Sequence, residues 1–116
     1  AFAAGGVDPA YMGLGPVPAV RKVLAATGMQ IRDIDMIELN EAFAAQALGC
    51  MKELNIPVEL PNQVGSGISI GHPIGCTGAR IAVTLLHAMH RHDVDVGLAT
   101  LCVSGGLGMA ASFRKP

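Results

Sequence analysis

Gly71-His72-Pro73-Ile74-Gly75-Cys76-Thr77-Gly78-Ala79-Arg80 is the stretch on which the fold turns, because an apolar helix pattern follows it directly, from Ala79 to about Met89. Glycine permits close backbone approach and Pro73 stiffens the turn. The histidine is therefore expected at a helix N-terminus, where free backbone N–H groups and the positive end of the helix dipole gather. Such an imidazole is placed to handle negative charge on a ligand or intermediate. Taken alone, the ten residues read equally as a glycine-rich connector whose His only caps or packs.

Working outward, the flanking segments alternate strand and helix. Upstream, Ala1–Ala4 reads as a strand and Gly5–Pro18 as a loop with two proline punctuators. Pro18 to Ala26 reads as a helix with Val20, Val23, Leu24 and Thr27 on one face, stopped at Gly28. Asp35–Leu39 reads as a strand, with Asn40 at an N-cap position and a helix from Glu41 to Leu54. The inner face of that helix is read as Phe43, Ala47, Leu48 and Met51. Val64–Ile70 alternates small and β-branched residues and reads as a short strand. Downstream of the helix, Val96–Val103 reads as a buried strand, Ser104-Gly105-Gly106 as a turn, and Leu107–Phe113 as a closing hairpin strand. The order β-α-β-α-β-α-β-β predicts a layered α/β fold with a mostly parallel sheet and an antiparallel pair at the end.

The 116 residues suffice for one domain with a modest core. Hydrophobic residues make up 51% and charged residues 15%, so the chain is too apolar for disorder. It is also too poor in charge for an ordinary free surface, which predicts burial against another domain or subunit. Mean hydropathy is +0.46, but no run approaches the roughly 20 apolar residues of a membrane span. A net charge of −1 without a basic stripe, and 3% aromatics without Trp, argue against nucleic acid as a partner. Three cysteines without a CxxC pair argue against a disulfide framework or structural zinc site, and fit a reducing compartment. The chain opens at Ala1, without Met, in what reads as mid-strand, so a true N-terminus and any targeting segment on it are expected to lie upstream.

Three polar residues fall where open α/β sheets collect functional groups: Asn40 after one strand, His72 before the third helix, and Cys102 near the end of the Val96 strand. A His and a Cys brought together there can act as acid and base, the Cys if its thiol pKa is lowered by the His or by backbone dipoles. The turn at Ser104-Gly105-Gly106 offers N–H groups to an oxyanion. The plainer readings are a core cysteine, an N-cap asparagine, and solvated or capping roles for His87, His90 and His92. Cys50 and Cys76 are read as structural. A metal site from His72, Cys76 and Cys102 lacks a carboxylate or second His at ligand spacing, so no metal is assigned.

Three blocks together resemble the thiolase family: Asn40-Glu41-Ala42-Phe43-Ala44-Ala45-Gln46, the Gly71–Arg80 stretch, and Cys102-Val103-Ser104-Gly105-Gly106-Leu107-Gly108. Gly6–Pro9 and Met12–Ala19 are similar as well. The resemblance covers nearly the whole chain, in order and with compatible spacing. It implies the C-terminal half of a thiolase fold, and an enzyme that condenses two acyl-CoA molecules or cleaves a 3-ketoacyl-CoA with coenzyme A through an acyl-cysteine. By that resemblance His72 donates from Nε2 to the thioester oxygen, and Asn40 holds a water that completes the first oxyanion site. Cys102 is the general acid/base, and the Ser104 N–H serves a second oxyanion site. Ala42, Phe43 and Gly71 bind substrate, the first two lining the acyl or pantetheine channel. No cofactor is implied, since coenzyme A and acyl-CoA are substrates. The implied partners are the N-terminal thiolase half and further copies in a homodimer or homotetramer. The implied location is cytoplasmic, or mitochondrial or peroxisomal in a eukaryote.

Departures from the family pattern bear on that site. Val64-Gly65-Ser66 stands where many thiolases have Asn-Gly-Gly, which predicts a looser loop under His72. Ser104 stands where they have Gly, which predicts strain if that position needs positive φ. No cysteine here matches the family's nucleophile, which lies in the N-terminal half. Without it the chain is expected to be inactive alone. An acyl-CoA or lipid binder without C–C chemistry, or a piece serving only in assembly, are the alternatives.

Overall fold

The computed structural model describes residues 1–116. Four strands, β1 (Phe2–Gly6), β2 (Met36–Leu39), β3 (Val96–Cys102) and β4 (Leu107–Arg114), form one sheet in the order β1-β4-β3-β2. Helices α1 (Pro16–Thr27) and α2 (Ala44–Leu54) contribute to the core on one face, and α4 (Thr77–His92) covers part of the other. A single helical turn, α3 (Gly67–Ile70), precedes the Gly71 stretch. The expected α/β layering stands, but only β2 and β3 run parallel, whereas β3–β4 and β1–β4 are antiparallel. The tight turn at residues 104–106 folds β4 back beside β3, so β1 can reach only the free edge of β4.

The strand alternation sorts the core onto two faces. Ile37, Leu39 and Leu98 are fully buried with Val20 and Val23 of α1 and Ala47, Cys50, Met51 and Leu54 of α2. Burying each large side chain there is worth about 1.5–3 kcal/mol. Met36 and Ala99 point the other way, onto Ile81, Leu85, Ala88 and Met89 of α4, a stripe at helical spacing. This second cluster is smaller. Leu101, Met109, Phe113 and Phe2 border an open apolar groove of about 220 Å³ beside Ile81 and Ala82.

Two expected elements change. Residues 64–70 are not a strand: Ser66 and Ser69 exchange side-chain and backbone bonds in a capping box that winds α3. The segment's small residues have no partner strand, and the nearby backbone touches the sheet only where Ile37 bridges Pro61. The second helix begins at Ala44 with Phe43 as its N-cap residue, three residues later than predicted. Phe43 and Leu48 consequently face outward, and Gln46, Cys50 and Leu54 join Ala47 and Met51 on the buried face.

Candidate active site

The chain direction sets which end of the sheet carries the polar groups. The α4 helix ends at His92 and a short turn leads into β3, so the N-terminus of α4 lies at the carboxyl end of β3. Asn40 follows β2 at that same end, because β2 is parallel to β3 and the Asn40 N–H donates to the Thr100 carbonyl at 3.0 Å. Asn40, His72 and Cys102 thus share one rim, although no hydrogen bond joins Cys102 to the other two. An open groove of about 600 Å³ between Leu24, Ile31, Ile34, Leu54 and Leu60 includes the approach to β2 at the opposite end.

Asn40 does not cap a helix; it is fully buried within a polar network. Arg80 on α4 donates to Glu38 Oε2 at 3.3 Å, to Asn40 Oδ1 at 3.4 Å and to Ser66 Oγ at 3.3 Å. Glu38 is 2% exposed. Burial pushes its carboxyl up to about 7, against the pull of the Arg80 charge and with a further push from the Glu41 carboxylate. Asn40 Nδ2 and Arg80 Nε are buried without a partner. An unpaired buried donor costs about 1–3 kcal/mol, so Nδ2 is suited to hold a small acceptor such as water.

The loop between Pro61 and Gly71 is tied to the same strand end. Asn62, at φ 58°, donates to Leu39 O and accepts from Leu39 N–H, each at 2.9 Å. Glu41 accepts from Asn62 Nδ2 through one oxygen and from the Ile68 N–H through the other. These commitments hold Glu41 outside α2. A Cβ on Gly67 would lie 2.9 Å from Glu41 O and 3.1 Å from Asn40 Oδ1, so glycine lets this turn sit against Asn40. Val64 is 41% exposed, and the side chains that anchor this loop belong to Asn62, Glu41 and Ser66.

His72 stands exposed on the turn leading into α4, as the sequence predicts. Its Nδ1 lies 2.7 Å from Thr77 Oγ1, and the Thr77 hydroxyl donates to Pro73 O at 3.0 Å. A hydroxyl has one proton, so Thr77 accepts from Nδ1–H and the neutral ring carries its lone pair on Nε2. Nε2 is therefore a base first, and donates only after a proton reaches it. Cys76, read as structural from the sequence, is exposed at the N-cap of α4, whereas Cys50 is buried with its thiol 3.2 Å from Gly13 O and pushed up to about 11 by burial.

Cys102 is half-buried at the end of β3, opposite Gly108. Burial raises its thiol above the ordinary value, against a backbone hydrogen bond that lowers it. The condition set by the sequence, a lowered thiol pKa, is not met, and Cys102 rests protonated at neutral pH. By alternation Cys102 shares the face of Leu98 and the buried Cys50, whereas Asn40 shares that of Met36 and Glu38. The two approach the rim from opposite faces of the sheet.

The Ser104 turn is relaxed. Gly105 at φ 70° and Gly106 at φ 84° take the left-handed conformation, and Ser104 does not. The strain predicted for a serine there is absent, and the Ser104 N–H has no turn or loop acceptor. Ala42 and Gly71 are half-buried and Phe43 is 61% exposed, so an aromatic face stands open beside Asn40 and Glu41. No three His, Cys, Asp or Glu side chains gather at metal-ligand spacing.

The α/β layer thus brings a histidine at a helix mouth, a buried amide and a protonated thiol to one rim of the sheet. Residues 1–115 match the family described as thiolase, C-terminal domain, and the chain belongs to that family. It is 57% identical over 114 residues to an acetyl-CoA acetyltransferase of Escherichia coli, covering 98% of this chain and 29% of the relative. It is 49% identical to a 3-ketoacyl-CoA thiolase of Photobacterium profundum, covering 98% of this chain and 30% of that protein. The crystal structure of the Bacillus anthracis acetyl-CoA acetyltransferase superposes with a TM-score of 0.95 at 50% identity, over 97% of this chain and 29% of that one. The chain thus spans less than a third of the length of these relatives.

Proposed function

We propose that this chain is the C-terminal part of an acyl-CoA C-acyltransferase that cleaves 3-ketoacyl-CoA with coenzyme A, or runs the reverse Claisen condensation, through an acyl-cysteine on an N-terminal half. What supports the reading most is the coincidence of the rim geometry with the three blocks that resemble the family. The nucleophilic cysteine of the other half attacks the 3-keto carbon after giving its proton to the free Nε2 of His72. The C2–C3 bond breaks, and its electron pair becomes the enolate of acetyl-CoA. His72 Nε2–H and a water on Asn40 Nδ2 stabilise the enolate oxygen, donors aimed where charge develops. Cys102, protonated at rest, delivers its proton to C2 and is left as thiolate. That thiolate takes the proton of the incoming coenzyme A, whose sulfur attacks the acyl-cysteine; the shortened acyl-CoA is released, and the cysteine leaves as a thiolate that recovers its proton from His72 Nε2. The Ser104 N–H steadies the oxyanion of this second step. Ala42, Phe43 and Gly71 bind substrate, and no cofactor takes part.

The N-terminal half packs on the incompletely covered face of the sheet, where Val83 and Leu86 of α4, Phe2 of the edge strand β1, and Leu107 and Met109 of β4 are exposed. The complete subunits form a homodimer or homotetramer in the cytoplasm, or in mitochondria or peroxisomes of a eukaryote. No helix is long and apolar enough to cross a membrane. Intact mass and an acetoacetyl-CoA thiolysis assay on the complete protein test the reading. Coenzyme-A-dependent cleavage that vanishes with Cys102→Ala is the expected result. Binding of acetoacetyl-CoA without turnover would assign a carrier role instead, and neither binding nor turnover would leave a part that serves only in assembly.

A further inference from the structure

We propose that Arg80, held inside by Glu38, is a positioning residue that fixes the Asn40 carboxamide with Oδ1 turned to the guanidinium and Nδ2 left as the free donor. The proposal rests on the thiolase reading above, in which Asn40 Nδ2 holds the water of the first oxyanion site. A carboxamide can flip, and its two ends do opposite jobs: the oxygen accepts and the nitrogen donates. Only a partner that cannot accept makes the choice unambiguous. Arg80 is such a partner, since a guanidinium carries donors alone. Its Nη2 lies 3.4 Å from Asn40 Oδ1 and 3.3 Å from Ser66 Oγ, and its Nη1 lies 3.3 Å from Glu38 Oε2. One planar fork thus spans the strand end, the loop that leads to His72, and a carboxylate 3% exposed. Glu38 keeps the fork in place, since a guanidinium 15% exposed has little water to hold it. Asn40 Nδ2 remains uncommitted in a fully buried residue, the arrangement required of a donor reserved for something absent from the protein itself. An amide flipped the other way would turn two donors toward Arg80 and offer the site an acceptor, which repels an enolate oxygen through the same water.

The test is steady-state thiolysis of acetoacetyl-CoA by the complete protein carrying Arg80→Met, Arg80→Lys, Asn40→Ala and the Arg80→Met/Asn40→Ala pair, each with its unfolding midpoint. Arg80→Met is expected to lower kcat about 10–100-fold, the cost of a misplaced oxyanion donor, with KM changed less than about threefold. In the Asn40→Ala background the same substitution is expected to add less than about threefold, because the amide it positions is gone. Arg80→Lys keeps the charge but cannot reach all three acceptors, and is expected to lose about tenfold in kcat with an unchanged midpoint. Equal cost of Arg80→Met in both backgrounds overturns the positioning role, as does a rise in KM at constant kcat. If Arg80→Met does not fold, Arg80→Lys decides, and wild-type kcat in that variant overturns the proposal. Full activity in Asn40→Ala removes both the proposal and the role given to Asn40. An inactive wild-type enzyme removes the thiolase reading itself, and the proposal with it. Asn40→Ala impaired but still measurable, with Arg80→Met additive to it, rejects the positioning role alone.

Discussion

The two faces of the sheet are built differently. Under α1 and α2 the core is a closed apolar cluster of 14 buried residues. Under α4 only six apolar residues close together, and beside them lie Glu38, Asn40, Ser66 and Arg80, charged or polar and bonded to one another. An apolar face gains stability from area alone. A buried ion pair gains little net stability over a hydrophobic replacement, so its presence is better explained by what it orients. One face holds the fold; the other holds an asparagine at a fixed angle.

Substitutions can break or sharpen that contrast. The largest effect is expected at the rim: Cys102→Ala lowers thiolysis by the complete protein about 10²–10⁴-fold, the usual worth of a general acid/base, while its unfolding free energy shifts by about 1 kcal/mol or less. A comparable loss of activity accompanied by unfolding would erase the separation of roles. On the apolar face, Ile37→Ala is expected to cost about 2–5 kcal/mol in denaturant unfolding, with kcat per folded molecule unchanged.

Glu38 gives the polar face a pH signature. Its carboxyl titrates near 4.5 in the unfolded chain and near 7 in the folded one. Between those values the folded state holds a proton that the unfolded state has released, so stability falls as pH rises through this window and levels off above it. Relative to Glu38→Gln, which does not titrate, the wild type is expected to lose up to about 3 kcal/mol between pH 4.5 and 8. Parallel unfolding curves for the two proteins across that range would contradict the buried, net-destabilised carboxylate. A smaller effect belongs to Thr77→Val, which removes the acceptor of His72 Nδ1–H and frees the ring to swap tautomers. An approximately tenfold loss of kcat is expected, in the range seen when a partner that orients an imidazole is lost. The smallest is Phe43→Ala, expected to leave stability within about 0.5 kcal/mol because the ring is exposed, while raising KM for acyl-CoA.

Much of the fold, and the gathering of Asn40, His72 and Cys102 at one rim, could be read from the sequence, and the reasons for the remainder are local. The helices were legible because Val20, Val23, Ile81, Leu85 and Met89 repeat at helical spacing, and β3 because its buried run is bounded by turn residues. Residues 64–70 misled because alternation of small residues mimics a strand, whereas the Ser66–Ser69 pair that winds them into a turn shows no apolar pattern at all. The start of α2 was displaced because Glu41, a good helix former, spends its carboxylate on the Ile68 N–H across the molecule. Asn40, His72 and Cys102 stood out as polar groups at element ends. Glu38 and Arg80 did not, since each looks like a routine surface charge until β2 and α4 are laid together. A signal was there: Glu38 sits between Ile37 and Leu39 in a strand with no exposed residue, and Arg80 directly precedes Ile81, the first residue of the α4 core stripe.

The sheet order also governs when this domain can exist. β4 follows β1, β2 and β3 in sequence, yet it occupies an interior slot, pairing with β3 on one side and β1 on the other. Until it leaves the ribosome, β1 lacks the strand it pairs with in this sheet, and Phe2 waits for Ala111 across more than a hundred residues of sequence. Such long-range closure is slow, and it exposes two strand edges to other nascent chains in the interval. Synthesis itself therefore sets a schedule: this sheet closes only after translation has passed β4.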